Sequence, residues 1–280
     1  MKKALVTGST GKVGSVVVAT LADAGVPVAA ATRSPQNVPA RYGVKAVRFD
    51  YADAATYEAV LADVDRVFLM EPQPPVGAAH TTMIPFAQAA IAHGCKVVLL
   101  SSASVRFQQE PLAGVEEAVR GAKEYVILRA NWFMDNFHTW WAEGIKYGHV
   151  LPLPAGDART PFVDARDVGA AVATALQRED AKGKTLTLTG RQSLTHADVA
   201  RVLSDAAGVA IEYQDLPEAA FAETLAQAGL PPGYVGYICS LFQLTRNRVF
   251  EDPTNDLEWL IGRKARTLQE YAADYREAWQ

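Results

Sequence analysis

The residues with the clearest chemical meaning stand close to the amino terminus: Gly8-Ser9-Thr10-Gly11-Lys12-Val13-Gly14. An apolar run precedes them, and Val13, Val16, Val17, Thr20 and Leu21 follow at the 3.6-residue period of an amphipathic helix that Gly25 stops. Gly8 permits a tight turn off a strand, Gly11 lets the backbone approach a diphosphate, and Gly14 lets the helix pack closely on the sheet. The start of such a helix offers unpaired N–H groups and a positive dipole end to phosphate oxygens. A glycine triplet alone is weak evidence. The strand before it and the helix after it turn it into a dinucleotide phosphate site, with all of residues 8–14 as cofactor contacts.

A second position selects the dinucleotide. Sites that prefer NAD place Asp or Glu at the end of the second strand, where it holds the ribose 2′-hydroxyl. Here the apolar run 27–31 leads into Thr32-Arg33-Ser34, which contains no carboxylate. Arg33 suits a 2′-phosphate, so NADP(H) is the expected cofactor and NAD(H) the weaker alternative. Later strand ends complete the expected site: Asp50 and Tyr51 beside the adenine, Met70 and Glu71 after the fourth strand, Ser101 and Ser102 after the fifth. Open α/β sheets bind ligands at these carboxyl ends. Each of these residues equally suits a helix cap or a turn.

Such contacts need a parallel sheet to hold them. Apolar runs at 3–7, 27–31, 45–49, 66–70, 96–100 and 124–129 alternate with helical patterns, the signature of βα units. Asp53 is placed to cap a helix with Tyr57, Val60 and Leu61 on one face, and 78–92 is Ala-rich and helical up to Gly94. Further on, the pattern predicts a helix over 133–146 and another, capped by Asp164, that buries Val168, Ala171, Val172 and Leu176. Residues 184–189 alternate as a strand. A capping box at Thr195–Asp198 opens a helix that ends at Gly208, residues 217–247 are largely helical around Pro231-Pro232-Gly233, and Thr267 with Glu270 caps a last helix. The expected fold class is α/β: a Rossmann-type doubly wound parallel sheet with a small, mostly helical C-terminal lobe. Residues 1–150 are expected to form the NADP(H)-binding core. Residues 151–280 are a mixed segment that completes it and forms the smaller substrate lobe.

Composition excludes several classes. The chain has 280 residues, 49% hydrophobic and 21% charged, which is ordinary for a globular protein with a sizeable core. A net charge of −4 without a dense Lys/Arg cluster gives no footprint for nucleic acid or an anionic membrane. The apolar run after Lys2-Lys3 ends at Val6, too short for a signal peptide. Residues 72–95 hold no Asp, Glu, Lys or Arg, but Pro72, Pro74, Pro75 and Pro85 argue against a membrane span. Cys95 and Cys239 show neither metal-ligand spacing nor a disulfide framework, so the expected compartment is the reducing cytoplasm. The expected partner is a small-molecule substrate. Oligomeric state is left open.

The chain also resembles the NmrA-like group of atypical short-chain dehydrogenase/reductases. The glycine turn carries the resemblance together with V-I-L-R-A-N-W-F-M-D-N-F at 126–137, P-F-V-D-A-R-D-V at 161–168, L-T-G-R-Q-S-L-T at 188–195 and I-G-R-K-A-R-T-L at 261–268. The W-F-M-D-N stretch is most similar to the quinone-oxidoreductase and ergot-alkaloid-reductase branch. This resemblance implies a Rossmann core with NADP(H), and substrate between it and a small lobe. It would place Asn131 near the nicotinamide, with Trp132 and Phe133 near the substrate. The same aromatic stretch also reads as core, with Met134 and Phe137 as its natural members.

One departure from the wider superfamily matters. Short-chain dehydrogenases use a Tyr with a Lys four residues on, the Lys lowering the Tyr pKa for proton exchange. No tyrosine here has that partner, and residues 111–121, where the resemblance would put the pair, contain neither type. Ser102, Ser104 and His138 remain as candidates to hydrogen-bond or protonate an acceptor, with His149 more remote; a lone histidine is more often structural. No G-x-S-x-G motif occurs. A reductase survives this loss if its acceptor needs no strong protein acid, as with a quinone or a cationic iminium. Aromatic residues at 132–137 with Tyr234, Tyr237 and Phe242 suggest a hydrophobic pocket for it. The alternative is a non-catalytic NADP(H)-sensing regulatory protein on the same fold. A sugar-nucleotide epimerase is disfavoured, because that reaction relies on the missing pair.

Overall fold

The computed structural model describes residues 2–72, 79–108 and 111–280. In chain order the first elements are β1 (Lys3–Val6), α1 (Lys12–Asp23), β2 (Val28–Thr32), β3 (Val44–Arg48), α2 (Tyr57–Leu61), β4 (Val64–Met70), α3 (Ala79–Ala92), β5 (Lys96–Ser102), α4 (Pro111–Arg120) and β6 (Tyr125–Ala130). There follow α5 (Ala142–Gly148), β7 (Val150–Leu153), β8 (Arg159–Thr160), α6 (Ala165–Gln177), β9 (Lys184–Leu188), β10 (Leu194–Thr195) and α7 (His196–Ala207). The chain finishes with β11 (Glu212–Asp215), α8 (Glu218–Gln227), α9 (Pro232–Arg246), α10 (Asp256–Ile261) and α11 (Leu268–Asp274).

These elements form two compact units. The first takes Met1–Ala130, Ala165–Leu188 and Asp256–Arg263; the second takes Asn131–Asp164, Thr189–Asn255 and Lys264–Gln280. In the first, seven strands pair in the order β3-β2-β1-β4-β5-β6-β9, every pair parallel. This is the Rossmann-type sheet expected from the sequence. Its central strands are apolar throughout because both faces are covered, as parallel sheets require. On one face Leu5, Leu69, Leu99 and Ile127 join a core with Met83 and Phe86 of α3 and Val115 of α4. Winding reverses between β1 and β4, the crevice where sheets of this type take ligands.

The expected strands appear within one or two residues, and α3 starts at Ala79; Ala78 lies outside the described residues. Asp53 caps a single 3₁₀ turn over 54–56 that continues into α2. Thr195 with Asp198, and Thr267 with Glu270, close the two capping boxes, and Gly208 ends α7 in the left-handed region.

The second unit departs from expectation. The helix predicted over 133–146 is a 3₁₀ turn at Met134–Asn136, an irregular stretch, then α5. The Trp141 N–H reaches back to the Asn136 carbonyl, five residues away, while the N–H of Met134 bonds to Val163. Convergence of Phe137, Trp141 and Phe162, whose ring centroids are 5.2–5.3 Å apart in successive pairs, overrides the helical period. The short pairs β8–β10 (antiparallel) and β7–β11 (parallel) also went unpredicted, being too brief or too rich in proline to show alternation. Among the described residues no helix is long and apolar enough to cross a membrane.

Candidate functional site

The glycine turn follows β1 directly. Gly8 sits at φ +59°, the left-handed region that an L side chain disfavours, and a Cβ there would lie 2.5 Å from Met70 Sδ. The Gly11 N–H donates to the Gly8 carbonyl at 2.9 Å and closes the turn. A Cβ on Gly14 would lie 2.1 Å from the Gly8 oxygen, so α1 packs on the turn as only glycine allows. No side chain caps α1 at Gly11, and a helix start of this kind suits an anion. Thr10, Gly11 and Lys12 are exposed, whereas Val13 is buried under the helix. Ser9 is also buried: its hydroxyl donates to the Ala31 carbonyl at 2.9 Å, tying the turn to β2.

At the end of β2, Arg33 is exposed and has no hydrogen-bond or ion-pair partner among the described residues. Thr32 Oγ1 accepts the Ser34 N–H at 3.2 Å, which shapes the turn around that guanidinium. The third strand's end corrects an expectation. Tyr51, expected beside the adenine, is a core ring in an edge contact with Phe49 at 4.9 Å. Its hydroxyl donates to Thr7 Oγ1 at 3.0 Å, within a knot in which the same Oγ1 accepts the Met70 N–H at 3.2 Å. Burial pushes the Tyr51 phenol above its ordinary pKa. Asp50 serves a turn, its carboxylate accepting the Ala52 N–H at 3.0 Å. Met70, the last residue of β4, and Glu71 just after it are half-buried.

The end of β5 carries two different serines. Ser101 is buried and donates to Glu116 Oε1 at 2.7 Å, so its side chain turns to α4 rather than to a cofactor. Glu116, 1% exposed, also takes Arg129 at 2.9 and 2.7 Å and Arg120 at 2.9 Å. Burial alone would raise the Glu116 pKa, but hydrogen bonds from Arg129, Ser101 and Arg120 together bring it below the ordinary value. Reading the sequence for Tyr and Lys in this helix missed the glutamate there. Its signal was legible, since Glu116 lies on the apolar face made by Leu112, Val115 and Val119. Ser102 is half-buried and shares a hydrogen bond with the buried Ser104 hydroxyl.

In the second unit the predicted residues serve packing and turns. Asn131 donates to the Phe250 carbonyl at 3.2 Å and accepts the Trp132 N–H at 2.7 Å. Trp132 donates through Nε1 to Thr245 Oγ1 at 3.0 Å and lies 4.9 Å from the Phe242 ring. Phe133 is half-buried and forms a backbone bridge with Val163. His138, weighed as an acid, is hydrogen-bonded to the Tyr271 hydroxyl and stacked on Tyr275 at 4.2 Å. His149 ends α5 in the left-handed region. No cluster of metal-ligating side chains occurs among the described residues.

Comparison with known proteins agrees with this arrangement. The NmrA-like family model matches residues 1–278. A reductase of Streptomyces griseus, (4-alkanoyl-5-oxo-2,5-dihydrofuran-3-yl)methyl phosphate reductase, is 30% identical over 98% of this chain and 98% of its own. Quinone oxidoreductase 2 of Escherichia coli is 28% identical over 95% of this chain and 96% of its own. The crystal structure of that enzyme with NADPH superimposes with a TM-score of 0.86 at 26% identity, covering 97% of this chain and 99% of the other. A fold with β1 and β4 at the switch point, a Gly8–Gly14 turn and a family match over nearly all its length therefore agree: the chain belongs to the NmrA-like family.

Proposed function

We propose that this protein is an NADPH-dependent reductase that passes hydride to a small aromatic or quinone-like acceptor. The observation that carries the reading is the Gly8–Gly14 turn joined to Arg33, an exposed cation with no partner among the described residues, where an NAD-preferring site has a carboxylate. The residues present fit the dinucleotide. The start of α1 would hold a diphosphate by its dipole and backbone N–H groups, and Arg33 with Thr32 would hold the 2′-phosphate. When bound, the nicotinamide supplies the hydride. The chain's own part is to hold and orient. Ser102, half-buried at the end of β5, offers a hydroxyl to the acceptor oxygen, and Ser104 fixes that hydroxyl from behind. No strong acid is required if the acceptor is a quinone. Free buried cysteines, Cys95 and Cys239, suit a reducing cytoplasm.

The test follows reduced-nicotinamide absorbance with purified protein, NADPH and a panel of quinones. Oxidation far above the uncatalysed rate supports the reductase. Tight NADP(H) binding with no turnover on any acceptor would favour the regulatory reading. No binding at millimolar concentration would remove both.

A further inference from the structure

Met70 lays its thioether on the glycine turn. A Cβ at Gly8 would lie 2.5 Å from Met70 Sδ and 3.0 Å from its Cγ, so the sulfur already fills the space above that residue. The backbone beneath is held on both sides. The Met70 N–H donates to Thr7 Oγ1 at 3.2 Å, and the Met70 carbonyl accepts the Tyr51 hydroxyl at 3.2 Å. Thr7 in turn donates to the Phe68 carbonyl at 2.9 Å, which locks β4 to the residue before Gly8. Any enlargement of the side chain therefore falls on the turn or on the space beside it. The sequence has four methionines. Met83 and Met134 are core residues, 0% and 3% exposed, whereas Met70 keeps part of its surface in solvent. Met1 lies outside the described residues. Among the described residues, then, Met70 is the methionine open to a dissolved oxidant.

We propose that Met70 is an oxidation site for peroxides, and that its sulfoxide weakens dinucleotide binding at the turn. The step balances with a peroxide as the only co-reactant. A sulfur lone pair attacks one peroxide oxygen, the O–O bond breaks, and an S–O bond forms. Sulfur is oxidised by two electrons. The departing oxygen carries them away, takes up the proton released from the sulfur-bound oxygen, and leaves as water when the oxidant is hydrogen peroxide. A flexible apolar side chain becomes a polar, chiral one. The added oxygen finds no room towards Gly8. It either points beside the turn, with its partial negative charge near the place of the diphosphate, or lifts the sulfur off Gly8 and loosens the turn. Both oppose the binding of an anion at the start of α1. The effect on affinity rests on the dinucleotide reading proposed above; the oxidation site does not.

The experiment treats the full-length protein with hydrogen peroxide, removes the oxidant and measures NADPH binding by calorimetry. Tandem mass spectrometry of a digest assigns the added oxygen, with fragment ions separating Met70 from Met83. The expected result is one oxygen on Met70 ahead of Met83 and Met134. The NADPH dissociation constant should rise about tenfold, within the usual range for two linked events on one protein. Treatment with a methionine sulfoxide reductase should restore the affinity. Met70→Leu should show the same affinity before and after peroxide. A Met70 left unoxidised in the folded protein, or oxidised after Met83 or Met134, overturns the site. A fully oxidised Met70 with unchanged NADPH affinity, or an equal loss in Met70→Leu, overturns the effect. If Met70→Leu fails to fold, enzymatic repair of the oxidised wild type still decides. A protein that binds no NADPH before treatment counts against the dinucleotide reading and removes the affinity effect with it, while the masses still decide the oxidation site.

Discussion

On the proposed reading, Arg33 and Ser102 are the side chains on which cofactor choice and turnover most directly depend. A charge-assisted hydrogen bond is worth about 1.5–3 kcal/mol, so Arg33→Ala should weaken NADP(H) binding about ten- to a hundredfold by the usual arithmetic. NAD(H) binding should change far less, and isothermal calorimetry with both dinucleotides reads the difference. Equal losses for the two would refute the 2′-phosphate contact. Ser102→Ala removes one neutral hydrogen bond of about 0.5–1.5 kcal/mol. It should lower kcat/KM for a quinone by roughly two- to tenfold while leaving the dissociation constant for NADPH unchanged. A variant with unaltered kcat/KM would remove Ser102 from the acceptor site.

Among the elements, the contact between α1 and the turn and the anchoring of α4 are the most sensitive. Gly14→Ala would bring a methyl to 2.1 Å from the Gly8 carbonyl. The turn must open, so dinucleotide binding should be largely lost, as calorimetry would show, with a lower Tm. A Gly14→Ala protein that binds normally would exclude the turn as the phosphate cradle. Glu116 joins α4, β5 and β6 through Ser101, Arg120 and Arg129. Removing one partner of a buried charged network typically costs about 3–5 kcal/mol. Glu116→Gln should approach the lower end in urea denaturation, because the amide keeps the shape and part of the bonding. Where a short-chain dehydrogenase would carry its Tyr and Lys, this helix carries an anchor.

For the whole molecule, the response to acid follows from the groups that folding shields. Burial, partly opposed by Asp215, depresses the His196 pKa from 6.5 to about 4. The unfolded chain therefore binds the proton more readily between those values, and stability falls as pH drops from 6.5 through about 4. The loss amounts to about 3 kcal/mol at 1.36 kcal/mol per unit. Glu116 acts lower down: its stabilisation is present above the ordinary 4.5 and disappears as pH falls below it. Urea titrations from pH 7 to pH 4 should show the first loss in wild type and a flatter profile in His196→Phe. A profile unchanged by that substitution would assign the acid sensitivity elsewhere.

Short-range chemistry was readable from the chain itself. Glycine spacing, strand runs buried on two faces, capping boxes and the lack of a carboxylate after β2 are local patterns, and local backbone physics realises them. Which polar residue faces a ligand depends instead on what packs against it. Tyr51 and Ser101 stand at strand ends as a ligand contact would, yet Phe49 and Thr7 claim the first and Glu116 the second. The same holds for 133–146, where aromatic rings from distant segments break a helix that periodicity favoured. Discontinuous units, closed by α6, β9 and α10 returning to the sheet, are likewise a product of long-range burial. Contacts between residues far apart in sequence leave no periodic trace, so only the folded chain could decide them.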